Sequence, residues 1–514
     1  MGIQKRYHKY ERLLSDLAVC ILIALCICLP AQSQIIKIPF LGVACGLGAI
    51  RLWLTRGKAI SKATWIWFGV YLAYNLVWSV LGLVNGHLGA PNYFRLGVIW
   101  PVLFFFVTVC ITTDTMKWIA RVMIIALVIQ TVCVYILIGN VFQLWPNILK
   151  PIYAESKVGL HPGYIHVVAH FIGGMAFTAP FVYTYFLLKK NIKPVLWMLL
   201  LLAWFVVVAA IVATSRRILP IVLLVCSAAA LVIPFLHKSG RMRIFVRAIA
   251  GLCITGVFMA AATGLVIYAS TSFLSNNYDA VRKVIQGRPE EQTTIRYIDG
   301  IVYNLKGITP PTQETVPTTP TNPASSTNST EISTTTPTKP NSGTDSTEAS
   351  TTPTKPSNSQ VGDEGFKDRF NGLLGELDDG TVRGKILAGA LGNWVDSPII
   401  GVGFGAALPG YEKDGEGIYE MEYVVRLYTT GLLGIAVLFA LMLYVGVAPL
   451  RKLRKDSKYA GYLAPCTVAY LGAVVATVSN PYIFSGFDYL FMLFLPVAFL
   501  NSVNTEKEIG EGEK

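Results

Sequence analysis

Two adjacent guanidiniums, Arg216 and Arg217, stand in the string TSRRILP, where one apolar run gives way to the next with no polar loop between them. A third, Arg383, opens a pattern in which Val382, Ile386, Leu387, Ala390, Leu391, Trp394 and Val395 share one side of a helix at roughly 100° per residue. Arg383 falls near the middle of that apolar side. A guanidinium in a poorly hydrated place is costly unless paired, and its planar fork matches phosphate. At Arg216 and Arg217 this favours binding of an anionic lipid headgroup or a pyrophosphate. Position alone leaves Arg383 open between an arginine held against an anion and one that snorkels from an interfacial helix.

Glu420 and Glu422 form a carboxylate pair just before an apolar run. They are either solvated charges at headgroup level or include a general base for a sugar hydroxyl. A neighbouring arginine would make Glu420 a poorer base and leave it to orient the guanidinium. His166 and His170 stand four apart, with His161 nearby. No carboxylate or cysteine ligand accompanies them, so they read as the polar lining and mouth of a cavity rather than a metal site. Arg288 and Arg296 are further candidate substrate contacts. The glycines at 401, 403, 405 and 410 follow no strand and read as a flexible turn, not a nucleotide loop.

The elements that must position these residues are set by composition. Charged residues make up 14% of the 514 and hydrophobic ones 53%, whereas soluble folds carry about a quarter charged. About twelve runs are long and apolar enough to span a membrane. They lie near 13–30, 35–54, 64–83, 96–112, 118–139, 164–187, 194–213, 218–236, 248–272, 424–447, 460–479 and 487–503. The expected fold is an all-α polytopic membrane protein of about twelve transmembrane helices. One large outward loop separates spans 9 and 10 and carries short helices and a Thr/Pro tract.

Basic clusters precede the first span and follow the second, sixth, eighth and tenth, all on one side if there are twelve spans. The positive-inside rule makes that side cytoplasmic, with both termini there and the large loop outside a plasma membrane. The net charge of +13 is mostly this topology signal. Its division into short juxtamembrane groups argues against nucleic acid as a partner and for membrane lipids. The first apolar run lacks a cleavage pattern and reads as a retained helix. All nine cysteines fall in expected spans and read as small hydrophobes.

The chain divides into a membrane bundle at 1–272, a first loop part at 273–307, a tract at 308–360, a structured lid at 361–423, three spans at 424–503 and a cytoplasmic tail at 504–514. The tract is almost entirely Thr, Pro, Ser, Asn and Glu, with TTPTKP repeated. It has too little apolar surface to offset its ordering entropy and is expected to be disordered.

Over roughly 200–450 the chain resembles the O-antigen ligase/polymerase (Wzy-type) family of membrane glycan-joining enzymes. Three strings carry the resemblance: Ser215-Arg216; Arg383 followed by SPIIGVG at 397–403; and Gly431-Leu432-Leu433-Gly434. Where ligases of that family place His-Asn, this chain has Glu420-Met421, and Leu387 stands where the family has tryptophan. The lost histidine weakens a ligase role and favours a polymerase. The Thr/Pro tract lies outside the family pattern.

The resemblance implies that a sugar hydroxyl on one polyprenyl-pyrophosphate-linked glycan attacks the anomeric carbon of another, and that the lipid pyrophosphate leaves. Arg216 and Arg383 would stabilise that leaving group, with Arg217, Arg288, Arg296, His161, His166 and Glu422 as substrate contacts. No metal, nucleotide or other cofactor is expected. A flippase and a chain-length regulator are implied partners. Alternatives are ligase-like transfer to another acceptor, a twelve-span transporter, and a scaffold that displays the tract.

Overall fold

The computed structural model describes residues 2–30, 33–142, 144–146, 148–153, 156–161, 164–189, 192–236, 241–276, 382–408, 419–455, 458–484 and 486–512. Within hydrocarbon every unpaired backbone amide costs several kcal/mol, so a chain this apolar satisfies its backbone inside helices. In chain order these are α1 (Gly2–Cys28), α2 (Gln34–Leu54), α3 (Lys62–Val84), α4 (Ala90–Cys110) and α5 (Thr115–Val141). A hairpin follows, β1 (Lys157–His161) and β2 (Tyr164–Val168). Then come α6 (His170–Leu188), α7 (Pro194–Ala213), α8 (Ile218–Leu236) and α9 (Arg241–Asn276). The last four are α10 (Val382–Trp394), α11 (Glu422–Lys455), α12 (Ala460–Thr477) and α13 (Leu490–Gly512).

Among the described residues, eleven helices are long and apolar enough to cross a membrane, which makes the chain a multi-pass helical membrane protein by length and composition. Sequence reading expected about twelve; the difference is α1. Its apolar part begins only after Arg12, contains Asp16 and ends at Cys28, short of the about 20 residues a crossing needs. It still packs against α2 and α5 inside the bundle.

The fold is also not wholly α. The sixth expected span began at 164, but residues 164–168 form β2 and the helix starts at His170. Ile165 and Val167 are buried while the residues between them are not, so the period there is two. β2 pairs antiparallel with β1, His161 opposite Tyr164 and Lys157 opposite Val168. The amide of Val167 donates to the Thr214 carbonyl at 3.2 Å, docking the hairpin on the end of α7.

The middle of the bundle is α6, α12 and α13, buried along most of their length. α6 and α12 approach so closely that a Cβ on Gly472 would meet the Ala176 carbonyl at 2.5 Å, the small-residue contact by which membrane helices pack. The outward faces carry large hydrophobics such as Trp53, Val195, Met198, Tyr268 and Leu443, as a lipid-facing surface requires. All nine cysteines are free thiols; Cys253 is exposed on α9. The basic clusters gather at one end of the helices, where Arg247 donates to the Lys189 carbonyl at 2.8 Å and Lys458 pairs with Glu506 at 3.0 Å. Arg288, Arg296, the tract at 308–360 and the loop parts at 277–381 lie outside the described residues.

Candidate functional site

At the opposite end of the bundle, α7 turns into α8 within a few residues. Ser215 makes the turn in the left-handed region, at φ 52°, a conformation that costs a non-glycine residue about 1–3 kcal/mol. The next residue, Arg216, lies half-buried on the wall of a polar cavity of about 300 Å3. Pro30, Tyr153, Ser156, His170, Asn480, Tyr482 and Tyr489 share that wall. Among the described residues Arg216 has no carboxylate partner. Arg217 is exposed at the N-cap position of α8, where its side chain makes no capping hydrogen bond. Two larger recesses, of about 450 and 540 Å3, are lined almost wholly by apolar side chains of the helix flanks.

Tyr482 links the cavity to the second arginine. Burial pushes its phenol up; Arg216 pulls it down, Glu420 pushes it up and Arg383 pulls it down. All three charged groups therefore act on one ring, and the phenol stays neutral. Arg383 Nε donates to Glu420 Oε2 at 2.8 Å. The setting differs from the sequence expectation, because the Arg383 side chain is 51% exposed and that of Glu420 39%. The packed face of α10 is Gly384, Ile386 and Ala390, set against Ala406, Leu408, Tyr419, Val425 and Tyr428. Helical side chains lean toward the N-terminus. Arg383 stands in the first turn, so its guanidinium reaches beyond the packed surface.

Glu422 departs from expectation more sharply. It is 1% exposed and accepts from Arg426 Nε at 2.6 Å, so it is a buried partner of Arg426 and not a solvated charge at headgroup level. Arg426 in turn lies 4.5 Å from the ring centres of both Phe404 and Phe484 and 5.4 Å from that of Tyr93. The i,i+4 spacing of Glu422 and Arg426 was visible in the sequence; their burial was not. Met421, between Glu420 and Glu422, is, like Ser215, a non-glycine residue in the left-handed region, at φ 59°.

The glycine-rich stretch is tied to α3 and α11 by hydrogen bonds at residues 400–404, and Gly410 lies outside the described residues. Phe404 N donates to the Trp78 carbonyl at 2.9 Å, Trp78 Nε1 to the Ile400 carbonyl at 2.7 Å, and Asn85 Nδ2 to the Val402 carbonyl at 2.8 Å. α11 breaks at Gly431, with φ 63° and ψ −172°. There Leu432 N donates to the Pro398 carbonyl at 2.8 Å and Gly403 N to the Thr429 carbonyl at 2.8 Å. The SPIIGVG and GLLG strings thus meet in space. Gly403 has φ 95°, and a Cβ on it would land on the amide of Gly82. Gly403→Ala should cost roughly 2–5 kcal/mol of stability from overpacking and backbone strain together. Gly446→Ala, which has open space around it, should be neutral or slightly stabilising. Thermal unfolding of the two purified variants checks this; equal melting temperatures would contradict it.

His166 and His170 do not share a helix: His166 is half-buried in β2 and His170 opens α6. His170 lines the cavity; His161 ends β1. Sequence reading named none of Asn480, Tyr482, Tyr489, Asp488, Arg426 and Lys37 as a candidate site residue. Lys37 and Asp488 are buried and pair at 2.6 Å. Their signal was available: opposite charges inside two apolar runs invite pairing. Among the described residues no group of three or more His, Cys, Asp or Glu could hold a metal ion. The chain matches no protein-family model and no curated protein sequence.

Proposed function

We propose that this chain is a membrane glycan polymerase that joins polyprenyl-pyrophosphate-linked oligosaccharide units at the outer face of the membrane. The observation that carries the proposal is Arg216, a guanidinium without a carboxylate partner among the described residues on a polar cavity wall. A buried or half-buried arginine left uncompensated by protein suits a ligand that brings negative charge. Arg383 acts on the same tyrosine. In this reading the positive-inside rule sets the basic clusters at the other end of the helices in the cytoplasm and this end outside; with α1 as a twelfth crossing both termini are cytoplasmic, and the loop between α9 and α11 is outside. A pyrophosphate held at Arg216 is a good leaving group, and guanidinium charge aimed at it is the electrostatic contribution that most lowers such barriers. The order of Ser215-Arg216, Arg383 with SPIIGVG, and GLLG supports the same reading through the family resemblance.

Glu420 orients Arg383 in this reading. Glu420→Gln keeps an acceptor for Arg383 Nε and should slow polymerisation by no more than about tenfold, since an exposed pair contributes roughly 0–1 kcal/mol. A loss as complete as that of a missing base would contradict the orienting role. Deleting 308–360 should leave bond formation intact, because the tract carries no apolar periodicity and loop-closure entropy changes slowly with length. Chain length measured on the product is where any effect of the deletion belongs.

The decisive experiment supplies purified lipid-linked repeat units to the protein in liposomes and follows the product on a gel. A ladder of joined repeats supports the polymerase. Movement of the lipid-linked unit across the bilayer with no new glycosidic bond would establish a carrier instead.

A further inference from the structure

Four helices, α5, α6, α7 and α9, surround the recess of about 450 Å3. Trp197 and Val207 of α7 both line it, and at about 1.5 Å per residue the stretch between them runs roughly 15 Å along the helix. That is about half the hydrocarbon thickness of a bilayer, the depth of one leaflet. The recess opens at the basic end of the bundle and reaches toward its middle. Tyr183 and Trp204, with ring centres 5.3 Å apart, line the deeper part. There Trp204 Nε1 donates to Thr255 Oγ1 at 3.0 Å and ties α7 to α9.

The mouth of the recess is cationic. Arg247 lines it, donates from Nη1 to the Lys189 carbonyl at 2.8 Å and lies 5.2 Å from the ring centre of Trp197. That bond engages one of the five N–H groups of a guanidinium. Arg243 stands one turn away on the same face of α9. Lys189 ends α6 and Lys193 precedes α7, and these three side chains are exposed. No Asp or Glu stands between positions 156 and 278, nor within α5. The helices around the recess therefore supply cations and no anion, and among the described residues no ion pair involves Arg247.

We propose that this recess binds an anionic glycerophospholipid from the leaflet at the basic end, with an acyl chain along the apolar channel and the headgroup phosphate at Arg247. Basic pockets between membrane helices are where acidic headgroups are recognised. The Lys189 carbonyl and the Trp197 ring hold the guanidinium at the mouth, and its remaining donors suit phosphate oxygens. An indole at that depth is itself an interfacial anchor. The other apolar recess has no such selectivity, because no charged side chain lines it among the described residues. α7 runs from this mouth to the Ser215 turn, so the bound chain packs along the helix that leads to Arg216, and the two phosphate sites lie at opposite ends of it.

The test places the full-length protein in phosphatidylcholine nanodiscs and follows tryptophan fluorescence. The probes are phosphatidylglycerol and phosphatidylcholine with the same acyl chains, brominated at mid-chain so that they quench an indole on contact. The wild type should prefer the glycerol lipid about fivefold, the worth of one cation at a membrane surface. Arg247→Gln should abolish that preference, whereas Arg454→Gln, which removes a charge at the same end on α11, should keep it. Ala203→Phe, at an exposed position lining the recess, should block the acyl chain and also abolish it. In the Trp197→Phe/Trp204→Phe variant the excess quenching should vanish. Equal quenching of the wild type by the two probes overturns the proposal, since only annular lipid then touches the helices. A preference that survives Arg247→Gln, or that Arg454→Gln weakens as much, overturns it in favour of general surface charge. Excess quenching that persists without Trp197 and Trp204 overturns the location.

Discussion

Arg216→Ala is expected to reduce polymer formation by about a hundred- to a thousand-fold, the cost of removing one preorganised donor at a developing anion. Arg216→Lys should recover little of it. A lysine brings a point charge on a flexible stem and lacks the planar fork that meets two phosphate oxygens at once. The half-buried position strengthens the expectation, because a lysine there must be desolvated before it can pair. Arg383→Ala should be the milder lesion. That guanidinium is 51% exposed and already held by Glu420, so water and salt screen what it contributes. Steady-state rates of the three variants, with undecaprenyl pyrophosphate binding beside them, check the order. An Arg216→Lys protein with full activity would remove Arg216 from the leaving-group site.

Arg426→Ala is expected to destabilise the protein by roughly 3–5 kcal/mol, because it leaves the Glu422 carboxylate buried with no partner. That is a large share of the about 5–15 kcal/mol by which proteins are stable. The lost contacts to Phe404 and Phe484, both at 4.5 Å, add to it. They also tie the glycine segment to the 482–484 turn that carries Tyr482, so activity should fall with stability. The double variant Glu422→Gln/Arg426→Met removes both charges and should recover much of the loss, since replacing a buried pair outright is often close to neutral. Thermal unfolding of the single and double variants in one detergent measures the cycle. Single and double variants that melt together, near wild type, would mean that the pair is hydrated.

How far the sequence was legible can be argued from individual residues. Apolar run length is a one-dimensional property, so most spans were placed to within a few residues. α7, expected at 194–213, is Pro194–Ala213. Arg216-Arg217 was legible for a similar reason: two guanidiniums without a loop between two apolar runs can only lie at a helix end. The start of α6 was misplaced because YIHVV is as apolar as a helix, and only its pairing with β1 exposes the period of two. The exposure of Arg383 was not legible, and its two readings stayed open, because a helical wheel ignores the axial lean of a first-turn side chain.

The amino-acid sequence by itself determined that this is a multi-pass helical membrane protein with Arg216 and Arg217 at one end of its helices. Hydrophobic length and the side on which arginines gather follow from composition along the chain, whatever the packing. Tertiary structure alone decided the partners. Lys37 meets Asp488, Glu422 turns inward to Arg426, Glu420 takes Arg383, and His170 joins Arg216 around one cavity. In a poorly solvated interior the free energy of a charge depends on what lies within a few ångströms of it. For Lys37 and Asp488, 451 positions apart, that neighbourhood exists only after the helices have packed.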